Sequence, residues 1–92
     1  MSPPIISHNS YDYLPNQVLP VIASFDTDGN MKPLYFRLYG QSHHVISYMV
    51  RARYANTIDF NCKFCLDDKE HFILLTYHRL ENVWTIPSDD IA

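Results

Sequence analysis

The residues with the most chemical potential in this 92-residue chain are two cysteines and two histidines: Cys62-Lys63-Phe64-Cys65, a CxxC, followed by His71 and His78. Two cysteines and two histidines are a ligand set for structural zinc, which needs four donors converging tetrahedrally on one point. Structural CxxC pairs reach that geometry from a turn, where both sulfurs face inward. Here the motif lies inside an alternating run. Ile58, Phe60, Cys62, Phe64 and Leu66 take one face, and Asp59, Asn61, Lys63, Cys65 and Asp67 take the other. Successive strand side chains point to opposite faces, so the two thiols diverge. No second close ligand pair follows at the usual spacing. The pattern predicts one core cysteine and one surface cysteine, with no metal and no cofactor. Zinc on Cys62, Cys65, His71 and His78 is the alternative reading. The same divergence opposes a disulfide between the two. A redox role would want the motif at a helix N-terminus, which is missing.

Three other groupings call for a chemical reading. Asp26-x-Asp28-x-Asn30 imitates the start of a calcium loop, but the positions that need Gly and Glu hold Met31 and Arg37. His43 and His44 are adjacent, so a strand sends them to opposite faces and they cannot share a ligand. Tyr35, Arg37, Tyr39, Arg51 and Arg53 interleave aromatic and basic side chains, the pattern that binds single-stranded nucleic acid by stacking and phosphate pairing. Against that stands a formal net charge of −3, where nucleic-acid binders usually carry a basic surplus. A solvated sheet face with Arg–Asp cross-strand pairs explains the same residues. The order of residues suggests no Ser/His/Asp or Cys/His set. With Gly29 and Gly40 as its two glycines the chain has no phosphate loop. The expectation is a protein that is not an enzyme.

The elements that must position these groups are short strands. Lys32 to Arg53 organises them. Leu34, Phe36 and Leu38 alternate with Tyr35, Arg37 and Tyr39, giving one oily and one amphipathic face. Gly40-Gln41-Ser42 supplies a turn, and His43 to Arg53 follows as a second strand. A helix competes there, since Ile46 and Val50 stand at i, i+4, but no good N-cap precedes them. Val18 to Phe25 is the first strand, with Pro20 marking an edge or a start near Val21. Asp28-Gly29 marks a hairpin turn. Thr57 to Leu66, Phe72 to Tyr77 and Val83 to Ile86 complete about six strands, with a polar turn at residues 67–70. With no convincing helix, the pattern predicts an all-β protein, a small antiparallel SH3-like barrel or rolled sheet. The predicted core is Val21, Ala23, Leu34, Phe36, Leu38, Ile46, Ile58, Phe60, Cys62, Phe64, Phe72, Leu74 and Trp84.

Length allows one domain, residues 18–87, between an N-terminal arm (1–17, with Pro3, Pro4 and Pro15) and an acidic tail (88–92). Tyr11, Tyr13 and Leu14 are oily for a free arm, which predicts docking on the body. No apolar run reaches the ~20 residues that span a bilayer. The first residues lack the basic and apolar regions of a signal peptide. The expected location is cytoplasmic.

Val18 to Gly40, with LPV, FD-x-x-G, PL-x-F and a glycine turn in order, resembles the start of a group of small uncharacterised bacterial proteins, mainly from Firmicutes. Phe60-Asn61-Cys62, Lys69-Glu70-His71-Phe72 and Trp84 are similar to that group's second half. The chain departs from it at His43-His44, at Cys65 and in a shorter connection near Tyr54. The resemblance implies a fold and no activity. The expected function is a small non-enzymatic interaction module. It would use Tyr35, Arg37, Tyr39, Arg51 and Arg53, with Tyr11 and Tyr13, toward a protein partner or a second copy. A nucleic-acid accessory role on the Arg/Tyr face is the alternative.

Overall fold

The computed structural model describes residues 17–87, and all regular structure there is strand. The docking of the arm and the nature of the tail concern residues 1–16 and 88–92, outside the described residues. Gln17, expected in the arm, opens the first strand. The strands are β1 (Gln17–Leu19), β2 (Val21–Phe25), β3 (Met31–Leu38), β4 (Gln41–His44), β5 (Ser47–Arg53), β6 (Thr57–Leu66), β7 (Lys69–His78) and β8 (Val83–Ile86). They form two antiparallel sheets, ordered β1-β8-β7-β6-β5 and β2-β3-β4, and do not close into a barrel. Among the described residues no helix is long and apolar enough to cross a membrane.

Two of the expected strands are each broken in two. Val18 to Phe25 bends at Pro20, so β1 pairs with β8 in one sheet and β2 with β3 in the other. His43 to Arg53 is extended rather than helical, and it bends within a single peptide link. Val45 donates its N–H to Leu34 O at 2.8 Å, in the three-stranded sheet, while Ile46 donates to Lys63 O at 2.8 Å, in the five-stranded one. Strands that change sheets at a bend form the corners of such packings.

Between the sheets lies one core: Leu19, Phe36, Val45, Ile58, Phe60, Cys62, Phe64, Ile73, Leu75, Trp84 and Ile86. Phe36 meets Phe64 edge-on at 5.0 Å between ring centroids, joining the two sheets. Four predicted core residues differ. Ile46 is exposed because the corner turns Val45 inward in its place. Leu34 is half-buried outside the cluster, because a bulge opposite Ile22 and Ala23 shifts register there. Met31 and Pro33 therefore face the core before the bulge, and Phe36 and Leu38 after it. Phe72 is 65% exposed and Leu74 only half-buried, while Ile73 and Leu75 fill the core.

Turn chemistry explains that exchange. β6 and β7 are joined by two residues, Asp67 (φ 53°) and Asp68 (φ 64°), rather than by 67–70. Positive φ at both centres is the type I′ requirement, whose twist matches the strands. Leu66 then faces Lys69, Cys62 faces Ile73 and Phe60 faces Leu75. The β3–β4 turn is likewise two residues, Tyr39 (φ 53°) and Gly40 (φ 78°), with Leu38 facing Gln41. The expected Gln41 and Ser42 belong to β4 instead.

Candidate interaction surface

β3 is the middle strand of its sheet, so its outward side chains are flanked on both sides. Register places Ile22, Tyr35 and His44 in one cross-strand row. All three are exposed, Ile22 by 63% and Tyr35 by 43%. The Tyr35 and His44 rings lie 5.0 Å apart. Beside them, Arg37 stands opposite Ser42, and its N–H donates to Pro20 O at 3.0 Å. Pro20, Ile22, Tyr35, Arg37 and Ser42 line a shallow cleft of about 170 Å³. Tyr39 is exposed at the adjoining turn.

The five residues singled out as an interaction set do not share one face. Tyr35 and Arg37 lie on the three-stranded sheet, and Arg51 and Arg53 on β5 of the other. The alternation from Val50 to Arg53 implied that Arg51 and Arg53 point together. A register shift at Arg51 separates them, because Val50 faces Phe60 while Ala52 faces Asp59 and Arg53 faces Ile58. Ile22 and His44, which complete the exposed row, were outside the predicted set. Register across three strands was needed to find them.

The histidine pair divides as strand geometry demands. His43 turns inward, its ring 5.1 Å from Phe36 and 5.2 Å from Phe64. His44 turns outward to Tyr35.

The four zinc candidates are likewise dispersed. Cys62 is fully buried opposite Ile73, and burial pushes its thiol up to about 12. Cys65 is exposed opposite Glu70. His71 sits against Phe64 at 5.6 Å. His78 is buried on the opposite side of the sheet, its Nε2 2.8 Å from Thr85 Oγ1. Cys62 and Cys65 are free thiols. Among the described residues no three His, Cys, Asp or Glu side chains gather in a group that could hold a metal ion.

The calcium-like segment is a turn held by its own acid. Asp26 Oδ1 accepts N–H bonds from Asp28 and Asn30, both 2.9 Å. Gly29 donates to Asp26 O at 3.0 Å from a φ of 82° that suits glycine. The bond from the Asn30 N–H, more than any other cause, holds the Asp26 carboxyl below its ordinary range.

Comparison of the chain with protein-family models, with curated proteins and with solved structures finds no match in any of the three.

Proposed function

We propose that this chain is a small non-enzymatic interaction module, and that the outer face of its three-stranded sheet receives a protein partner. The observation that carries this is the exposed row Ile22–Tyr35–His44, bordered by Arg37 and the Pro20 cleft. Aromatic residues and arginine are the side chains most enriched at protein interfaces, and Tyr brings large rigid area. Among the described residues β2 is an edge strand, a position suited to strand addition by a partner or by a second copy. The passage of β1/β2 and β4/β5 from sheet to sheet supports reading the fold as an opened relative of the SH3-like roll. Such small scaffolds host many functions. The bacterial group that Val18 to Ile86 resembles has no activity to transfer, so the reading rests on this surface. The nucleic-acid alternative keeps Tyr35 and Arg37 but loses Arg51 and Arg53 from the face.

The test is affinity capture from the native cell with the unaltered chain and with Ile22→Ser/Tyr35→Ala. The expected result is a protein retained by the first and lost by the second, at an unchanged melting temperature. Capture of the same protein by both chains would overturn the assignment of this face. Retention of RNA or DNA that salt removes steeply would move the reading to the nucleic-acid class.

A further inference from the structure

A second cleft, of about 370 Å³, opens between the β2–β3 hairpin and the paired ends of β5, β6 and β7. Phe25 and Met31 form one wall, Ile58 and Tyr77 another, and Arg53 and Arg79 supply its charge. Its size falls within the roughly 300–1,000 Å³ of small-molecule sites.

The register shift at Arg51 creates this arrangement. In unbroken alternation Arg53 would lie on the side opposite Val50, away from the core. With the extra residue, Arg53 faces Ile58, which faces Tyr77, and the three form one row on the core side of the sheet. A bulge that re-aims a single side chain is a recurrent device beside functional sites. Arg79 is fixed from the other direction, its N–H donating to Asn56 O at 2.8 Å in the β5–β6 connection.

Among the described residues the two guanidiniums have no ion-pair partner, and no carboxylate lines the cleft. Of the two acids in the adjoining loop, Asp26 has its Oδ1 committed to backbone N–H groups. Two positive charges match a phosphate monoester, which carries about −1.5 to −2 at neutral pH and offers oxygens that suit the planar fork of Arg. The exposed Phe25 ring at the edge of the cleft suits an apolar or aromatic body beyond the charged group. We propose that this cleft binds a small phosphate monoester carried on an apolar or aromatic body. It is a site distinct from the partner face.

The test is an NMR titration of the full isotope-labelled chain with phenyl phosphate, and with benzoate as a singly charged comparison. Saturable shifts of the Gly29 and Asn30 amides and the Arg53 and Arg79 side chains are expected, with benzoate binding more weakly. Arg53→Gln and Arg79→Gln should each weaken phenyl phosphate about tenfold or more, the range for losing a charged hydrogen bond. Both positions face solvent, so the variants keep the fold, and the same spectra report it. Shifts that never saturate, saturation centred elsewhere, unchanged affinity in both variants, or benzoate bound as tightly would each overturn the proposal.

Discussion

On the five-stranded sheet, Thr76, His78 and Thr85 point away from the core and are nevertheless buried, Thr85 completely. On the three-stranded sheet, Ile22, Tyr35 and His44 also point away from the core and stand in solvent. The first group is polar, and each member has a side-chain hydrogen-bond partner. Thr76 Oγ1 donates to Asp59 Oδ1 at 2.8 Å, and His78 bonds Thr85. Buried polar groups with partners cost little, and their burial keeps them from another molecule. The second group is bulky and aromatic, and its internal contact is one ring pair. Facing outward is therefore not what makes a sheet surface available. Availability follows from which side chains remain unsatisfied or uncovered there.

The largest expected effect tests what the two faces share, the core between them. Phe60 is fully buried at the centre of β6, packed on Tyr48 and Trp84. Phe60→Ala should lower unfolding free energy by about 3–5 kcal/mol in urea titration. A loss below about 1 kcal/mol would mean that Phe60 is not a tightly packed centre of the core.

Alkali tests the same core through Cys62. An acid whose folded pKa is raised holds its proton longer in the native state. Its stabilisation is complete below the ordinary thiol value of 9.0 and fades between there and about 12. The full loss is about 4 kcal/mol, from roughly three units at 1.36 each. The unaltered chain should lose stability over that range more steeply than Cys62→Ala, which lacks the group. Exposed Cys65 gives the contrast, because a thiol reagent should modify it at once and Cys62 only on unfolding. Equal slopes, or equal reaction rates, would break this account of Cys62.

The comparison of outer faces is broken most directly by a matched pair of variants. Thr85→Val keeps shape but removes the partner of buried His78, and should cost about 1–3 kcal/mol. Tyr35→Ala removes a larger side chain from the open face and should change stability by less than about 0.5 kcal/mol. If the two costs come out alike, the distinction between the faces fails.

The all-β class, the alternating faces of β3 and β6 and the divergence of Cys62 from Cys65 are legible because each depends on period two within one strand. What was not legible depends on one extra or one missing residue. The bulges at Leu34 and Arg51 reverse alternation without any change in residue type, and the second of them splits the arginine set. Val45 and Ile46 are equally apolar, so composition does not say which side of the corner is inside. The inward face of β7 was within reach. An even-length turn after Leu66 pairs even residues of β6 with odd residues of β7, so Phe60 and Cys62 require Ile73 and Leu75, not Phe72 and Leu74.

That turn supplies the smallest test. The β3–β4 turn carries Gly40 at its second centre, whereas the β6–β7 turn carries Asp68 there, at φ 64°. Asp tolerates left-handed backbone but Gly adopts it freely, and Asp-Gly is a preferred type I′ pair. Asp68→Gly should therefore stabilise the domain by roughly 0.5 kcal/mol, net of the added freedom of the unfolded chain. The gain should appear as slower hydrogen exchange at the Leu66 and Lys69 amides, with the Ile22–Tyr35–His44 face unchanged. Destabilisation would show that the Asp68 side chain has a role that backbone preference does not capture.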